Sequence, residues 1–302
     1  LEAVREAHYV PNNSARDLVR PQSDGICLVV RGVGNPFFTG VIQAIERAIG
    51  GAGYNLVLHQ IRSEGDELRA GAELARSRRL LGLVLLGGRF DYTPEQVALL
   101  DVPFVCCSYT NSFGSLAKDA YSSVTIDDQR EACRAVRLLT DQGHQRIAIL
   151  LDSTQDSSIS QLRYQGYVRA LAAHGLPLEQ ELVIEAGSFD IRQSYLAMQR
   201  RLLAGAQFTA LFAISDNMAI GAMRALREAG RRIPEDCSVI AIDGLTVSDY
   251  INPALTTLCQ PMEHMGRRSV EILLDMVEHR GGPIRETAHT TLRTGESVRD
   301  IS

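Results

Sequence analysis

No segment of this 302-residue chain approaches the roughly 20 uninterrupted apolar residues that a membrane-crossing helix requires. Its opening residues, Leu1 to Asn13, hold no apolar core of a secretory signal, so a cytoplasmic location is expected. A surplus of positive charge is missing too. The formal charge is -5, which excludes a body that binds nucleic acid broadly, because phosphates are neutralised by Lys and Arg gathered on one face. Any DNA contact must be local. The six cysteines (Cys27, Cys106, Cys107, Cys133, Cys237, Cys259) show no CxxC spacing, and a chain this long needs no disulfide staples. They read as buried thiols of a reducing compartment. The seven histidines do not pair with acids at metal-ligand spacing, so no metal is expected. Gly32 and Gly34 lack the third glycine and downstream acid of a dinucleotide fingerprint. No nucleophile, base and orienting group stand together, so neither a cofactor nor enzymatic activity is expected.

What is present is a regular rhythm. With 45% hydrophobic and 22% charged residues the chain falls in the globular class, and its length suits about two domains. From Asp24 onward, short apolar runs alternate with helical patterns, the mark of parallel β-α-β units. Strand Ile26 to Val30 leads to Asn35 as an N-cap and Pro36 at the first helical position, with Phe38, Val41, Ile42, Ile45 and Ile49 at helical spacing. Strand Asn55 to His59, helix Glu64 to Arg78, strand Leu83 to Leu86, a capping-box helix from Thr93 and strand Phe104 to Cys107 follow. After Ser123 to Ile126 the pattern restarts as a second lobe. It runs through helix Asp128 to Gln142, strand Ile147 to Leu151, helix Ser160 to His174, strand Leu182 to Ile184, helix Ile191 to Leu203, strand Leu211 to Ile214, helix Asn217 to Ala229 and strand Val239 to Ile242.

In open parallel sheets ligands bind beyond the carboxyl ends of the strands, and two such lobes face to face make a cleft. The polar residues just after strands are therefore the ones to examine: Asn35, Asp127, Asp152, Ser215 with Asp216, and Asp243. Asp243 ends an apolar strand, where an ionised carboxylate must accept hydrogen bonds from ligand hydroxyls or loop amides. Asp127 has two readings of equal standing, ligand contact or N-cap. Asp216, at a helix start, is expected to cap the helix and fix the lobe rather than touch ligand. Of the two aromatics on the first turn of the first helix, Phe38 falls on the apolar stripe, which leaves Phe37 to face the cleft.

The termini and junctions carry a resemblance. Residues 1 to 20, above all Tyr9-Val10-Pro11-Asn12-Asn13-Ser14-Ala15-Arg16-Asp17-Leu18, resemble the end of the headpiece and the hinge helix of the lactose/galactose-repressor (LacI) family. Asn35-Pro36-Phe37-Phe38, Gly143-His144, Arg163 with Gly166-Tyr167, Ser215 to Ala222, Ile233-Pro234, Asp243, and Pro253 to Thr257 before Gln260-Pro261 agree in order along almost the whole chain. The resemblance implies a transcription repressor with two periplasmic-binding-protein-like lobes, most of its helix-turn-helix headpiece lying outside this sequence. It implies crossovers between lobes: helix Met262 to His279 returning to the first, and strand Thr287 to Leu292 rejoining the second. The expected division is 1–23 headpiece end and hinge, 24–126 plus about 261–284 first lobe, and 127–260 plus about 285–302 second lobe.

The same resemblance places roles on residues. Asn12, Ser14, Ala15, Arg16 and Leu18 would form a hinge on operator DNA, with Leu18 as the minor-groove wedge. Arg163 stands where the family grips its ligand, its planar fork suiting hydroxyls, a carboxylate or a phosphate, against the alternative of a salt bridge to a neighbouring acid. Ser215 replaces a frequent Asn, Gly244 a frequent second Asp, and Thr294-Gly295-Glu296-Ser297 a usual arginine-containing ending. The expected effector is a sugar, with a purine or sugar phosphate behind, and its binding would set the angle between lobes in a homodimer and so the operator affinity. First-lobe stripes Leu68, Ala72 and Ala75, or Met265, Ile272 and Met276, are the expected dimer faces, with core packing as the alternative. The rival from another class is a periplasmic-type sugar-binding protein of a transport system.

Overall fold

The computed structural model describes residues 24–32, 34–155 and 157–302; the hinge residues Asn12, Ser14, Ala15, Arg16 and Leu18 lie outside them. The first sheet starts with β1 (Gly25–Arg31), whose apolar run is buried along its length, as a strand covered on both faces by helices must be. Around it the chain builds α1 (Phe37–Gly51), β2 (Asn55–Ile61), α2 (Glu67–Arg78), β3 (Gly82–Leu86), the single turn α3 (Pro94–Val97), β4 (Phe104–Cys107) and β5 (Ser122–Ile126). The second unit follows as α4 (Asp128–Thr140), β6 (Ile147–Leu151), α5 (Ile159–Ala173), β7 (Val183–Glu185), α6 (Ile191–Leu203), β8 (Ala210–Ala213), α7 (Asp216–Glu228), β9 (Ser238–Asp243) and β10 (Thr256–Cys259). The chain then returns as α8 (Met262–Val277) and β11 (Arg285–Ala288) and ends with β12 (Thr291–Arg293).

The two sheets have strand orders β11-β5-β4-β3-β1-β2 and β12-β10-β9-β8-β6-β7, parallel throughout except for β12, which runs antiparallel to β10. This is the doubly wound, periplasmic-binding-protein-like α/β architecture. In each sheet the order reverses beside its first strand, β1 or β6, so both topological switch points open at the carboxyl ends of strands. Among the described residues no helix is long and apolar enough to cross a membrane.

Helix α8 packs on α1 and on β3, β4 and β5, so the first sheet takes one of its covering helices from the far end of the chain. The second return differs from expectation. Residues 285–288 pair in parallel with β5 of the first sheet, and only 291–293 join the second. The lobe boundary therefore falls between Ala288 and Thr291 rather than near 284, because the segment read as one strand is two, broken at His289-Thr290. The expected dimer stripes are likewise corrected: Leu68, Ala72 and Ala75 are at most 5% exposed, Met265 and Ile272 are fully buried, and Met276 packs against the core. A periodic apolar stripe marks the face a helix buries, and here the sheets consume it.

Helix pairs on the second sheet approach closely through glycine. A Cβ at Gly166 in α5 would press into the Gln129 carbonyl oxygen of α4 and lie 2.7 Å from Ala132 Cβ, and one at Gly221 in α7 would meet the Ile191 carbonyl oxygen of α6. Gly166→Ala should therefore overpack the α4/α5 contact at a cost of about 1–3 kcal/mol, read as a fall in Tm of about 3–10 °C. An unchanged Tm would show that the helices yield freely. The cysteines are all free, and burial pushes the thiols of Cys27, Cys106, Cys107 and Cys237 up to about 12, so they stay protonated and inert at neutral pH.

Candidate functional site

A cleft of about 1170 Å³ opens between the carboxyl ends of the two sheets, slightly above the roughly 300–1,000 Å³ usual for small-molecule sites. Its first-lobe wall comes from the loops after β1, β2, β3 and β4, and its second-lobe wall from those after β6, β7, β9 and β10. Asn35, Phe37, Asp152, Arg163 and Asp243 line it.

Arg163 sits in α5 with its side chain 1% exposed. Its Nε donates to Asp128 Oδ1 at 2.9 Å and its Nη1 to the Ile214 carbonyl oxygen at the end of the β8 strand. Nη1 is also 3.9 Å from Asp243 Oδ1. Nη2 lies 2.9 Å from Asp128 Oδ1 but is not aligned to bond it, so one face of the guanidinium is left unsatisfied. The arginine is thus in a buried ion pair and at the cleft at once.

Asp243 closes β9 with φ +148°, a backbone region that L residues rarely occupy and that costs of order 1–3 kcal/mol. Its Oδ1 accepts from Gln260 Nε2 at 2.9 Å, while Oδ2 is buried without a partner. Burial drives its carboxyl up to about 8, opposed by the neighbouring Arg163 charge and the Gln260 bond. Burial also raises Asp128, again against Arg163. One guanidinium thus lies between two carboxyls that burial pushes above their ordinary range, with no hydrogen bond made by Nη2 or Oδ2.

Two expected contacts do not reach the cleft. Asp127 is exposed and caps α4, its Oδ1 accepting from Arg130 N at 3.0 Å. Its neighbour Asp128 turns inward instead. The helix phase carried that signal, because Asp128 shares a face with the buried Ala132, Ala135 and Leu139. Ser215 is buried and spends its Oγ as the N-cap of α7, accepting from Met218 N at 3.2 Å. Asp216 binds inside its own lobe, Oδ1 accepting from Thr257 Oγ1 at 2.5 Å and Oδ2 from Leu245 N and Ser248 Oγ at 2.7 and 2.8 Å.

Both phenylalanines line the cleft, but the one on the buried stripe is Phe37 rather than Phe38. Phe37 is 3% exposed and lies on the buried stripe of α1 with Val41, Ile45 and Ile49. Phe38 is half-buried, faces the cleft and stacks over Gly87, where any Cβ would meet its ring at 2.6 Å. The stripe can be drawn through either ring by periodicity alone. Asn35 holds the turn before α1, Oδ1 accepting from Phe37 N at 3.1 Å.

Other lining residues gave no signal in isolation, among them Arg62, Arg89, Tyr109, Ser158, Phe189 and Gln260. Gln260 follows β10 just as Asp243 ends β9, so register with a neighbouring strand could have found it. Charges on the walls are largely matched by the protein itself: Arg89 with Asp91 at 2.9 Å, Arg31 with the buried Glu67 at 3.6 Å, and Arg163 with Asp128. Gly244, at φ +80°, lies so close to Cys259 that a Cβ would fall 2.6 Å from its Sγ, so no larger residue fits there. Among the described residues no group of three His, Cys, Asp or Glu side chains is placed to hold a metal.

Residues 136–298 match the model of the periplasmic binding protein-like domain. Over 302 residues the chain is 32% identical to the HTH-type transcriptional regulator MalR of Clostridium butyricum, covering 99% of this chain and 88% of that one. It is 33% identical to the regulator CelR of Thermobifida fusca over 99% of this chain and 87% of the relative. Among solved structures, the complex of the transcriptional regulator CelR with cellobiose superposes with a TM-score of 0.81 at 30% identity, covering 98% of this chain and 88% of that one. A lac repressor dimer bound to operator shares the fold, with a TM-score of 0.81 at 22% identity over 96% and 99% of the two chains.

Proposed function

We propose, from the premise that this chain belongs to the LacI family of transcriptional regulators, that its cleft takes an uncharged sugar and that the bound sugar sets operator affinity through the angle between the lobes. The chain is a regulator, not an enzyme. The observation that carries the sugar reading is the floor of the cleft: Arg163 Nη2 and Asp243 Oδ2, buried and unsatisfied, offer one donor and one acceptor to adjacent hydroxyls. Phe38 and Phe189 add aromatic faces from the two lobes. Because three of the four wall arginines are paired with acids, and Glu64, Asp152 and Asp190 also line the walls, little positive charge is left for a phosphate, which favours a neutral polyol over a sugar phosphate. The cleft volume admits more than one ring, in keeping with the cellobiose held by a relative.

A sugar bridging Asn35 and Phe38 of one lobe and Arg163 and Asp243 of the other stabilises the closed angle by differential contacts. In a two-fold dimer that angle alters the spacing at which segment 1–23 meets DNA half-sites about one turn apart. This is the work of a cytoplasmic protein. Titration calorimetry against cellobiose, maltose, glucose, glucose 6-phosphate and adenine tests the class: micromolar binding of a neutral sugar is expected, and binding of adenine or the sugar phosphate alone rejects it.

The dimer face is proposed on the open edge of β2, Asn-Leu-Val-Leu-His-Gln-Ile, which carries no charge and pairs on one side only among the described residues. Edge strands left without charge or proline are templates for pairing. Leu58, 47% exposed, stands at its centre, and Tyr250, 83% exposed, offers a second apolar point on the other lobe. Sedimentation should show a dimer at micromolar concentration and a shift toward monomer in Leu58→Lys. A wild-type monomer would remove this part.

A further inference from the structure

The lobes also touch through a packed contact beside the cleft. In the first lobe the loops after β3 and β4 are stitched together: Phe113 N donates to the Phe90 carbonyl at 2.7 Å, Ser115 N to the Tyr92 carbonyl at 3.0 Å, and Tyr92 N to Asn111 Oδ1 at 2.6 Å. Beneath them Tyr92 OH donates to the buried Glu67 carboxylate and shares a 2.8 Å hydrogen bond with Tyr109 OH. Phe90 packs at 5.5 Å from Tyr109 and 6.5 Å from Phe113, and a side chain at Gly88 would fall 2.5 Å from Tyr92 OH. Aromatic packing, a buried hydroxyl chain and a glycine with no spare room make this shelf stiff.

The residues resting on it come from the other lobe. Ile159 and Leu162, both half-buried in the first turn of α5, pack against the first-lobe cluster that contains Phe90, Tyr92 and Tyr109. Leu162 immediately precedes Arg163, and Ile159 lies one turn before it. We propose that Ile159 and Leu162 are positioning residues: seated on the first-lobe shelf, they fix where Arg163 stands across the cleft. A contiguous run of packed side chains thus joins the guanidinium of one lobe to the loops of the other. The inference rests on the sugar reading only for what Arg163 holds, not for the contact itself.

Hydrogen-deuterium exchange on the ligand-free full chain tests it, with Leu162→Ala and Ile159→Ala. The Phe113 and Ser115 amides, in the first lobe, should exchange about tenfold faster in each variant, while the β6 amides Ile149 to Leu151 keep wild-type protection. Leu162→Met, which refills the seat, should restore slow exchange at both. First-lobe amides that stay protected while α5 loosens would overturn the proposal, since a role inside one lobe moves only that lobe. If β6 shows that Leu162→Ala has unfolded, the half-buried Ile159→Ala decides. Because no sugar is present, failure here is distinguishable from failure of the sugar reading.

Discussion

Arg163→Ala will weaken binding of any sugar the cleft takes by about 10²–10³-fold, the largest single-residue loss expected at this site. Three things go at once: the ion pair to Asp128, the bond that ties α5 to the Ile214 carbonyl, and the guanidinium that lines the cleft with Nη2 making no hydrogen bond. Two carboxyls are then left in a buried pocket without their cation, and breaking a buried pair by removing one partner costs about 3–5 kcal/mol of stability. A fall in Tm must therefore accompany the loss of binding. Arg163→Lys separates the two effects. It keeps a charge near Asp128 but cannot present the planar fork, so stability should return further than affinity does. Wild-type affinity in a folded Arg163→Ala protein, by calorimetry, would take the arginine out of the site.

Asp243→Asn will raise Tm by about 8–16 °C more at pH 8.5 than at pH 5. The sign follows from burial. The folded carboxyl titrates near 8 and the unfolded one near its ordinary 3.8, so between these values the folded state holds the extra proton. Stability contributed by this group is present at low pH and declines as pH rises through that window, at up to about 1.4 kcal/mol per pH unit. Asparagine never ionises and escapes the decline. In the wild type, hydroxyls donating to Oδ2 favour the ionised form, so sugar binding should release a proton and tighten as pH climbs toward 8. Calorimetry in buffers of different ionisation enthalpy reads that proton. Affinity that is flat from pH 6 to 8 would contradict a role for the carboxylate.

Much of this molecule is legible in its residues. Short uncharged runs such as Ile26 to Val30 and Ile147 to Leu151, set between helical patterns, read as strands covered on both faces of a parallel sheet, and they are. The Thr93 capping box is made as expected, Gln96 Oε1 accepting from Thr93 N at 2.9 Å. What periodicity could not decide was phase by a single residue. Phe37 and Phe38 are equivalent in composition but differ in burial once the helix begins, whereas Asp128 could have been placed by the face it shares with Ala132, Ala135 and Leu139. A cap side chain turns back to bond its own helix, so Asp127 and Ser215 are spent before they can reach a ligand. The loops after β2, β3 and β7 stayed unread because their place at the cleft is set by the other lobe, and no local pattern encodes a surface that lies across a gap.

The return of α8 and β11 to the first sheet has a consequence for how the protein is made. Until residue 277 has left the ribosome α1 lacks the helix that packs on it, and until residue 288 has followed β5 remains an open edge. The second sheet, whose strands β6 to β10 are contiguous in sequence, can assemble before the first is finished. Nascent chains whose emerged part ends near residue 260 should therefore protect β6 and β8 from protease while β1 stays susceptible, reversing the usual order in which the N-terminal half matures first.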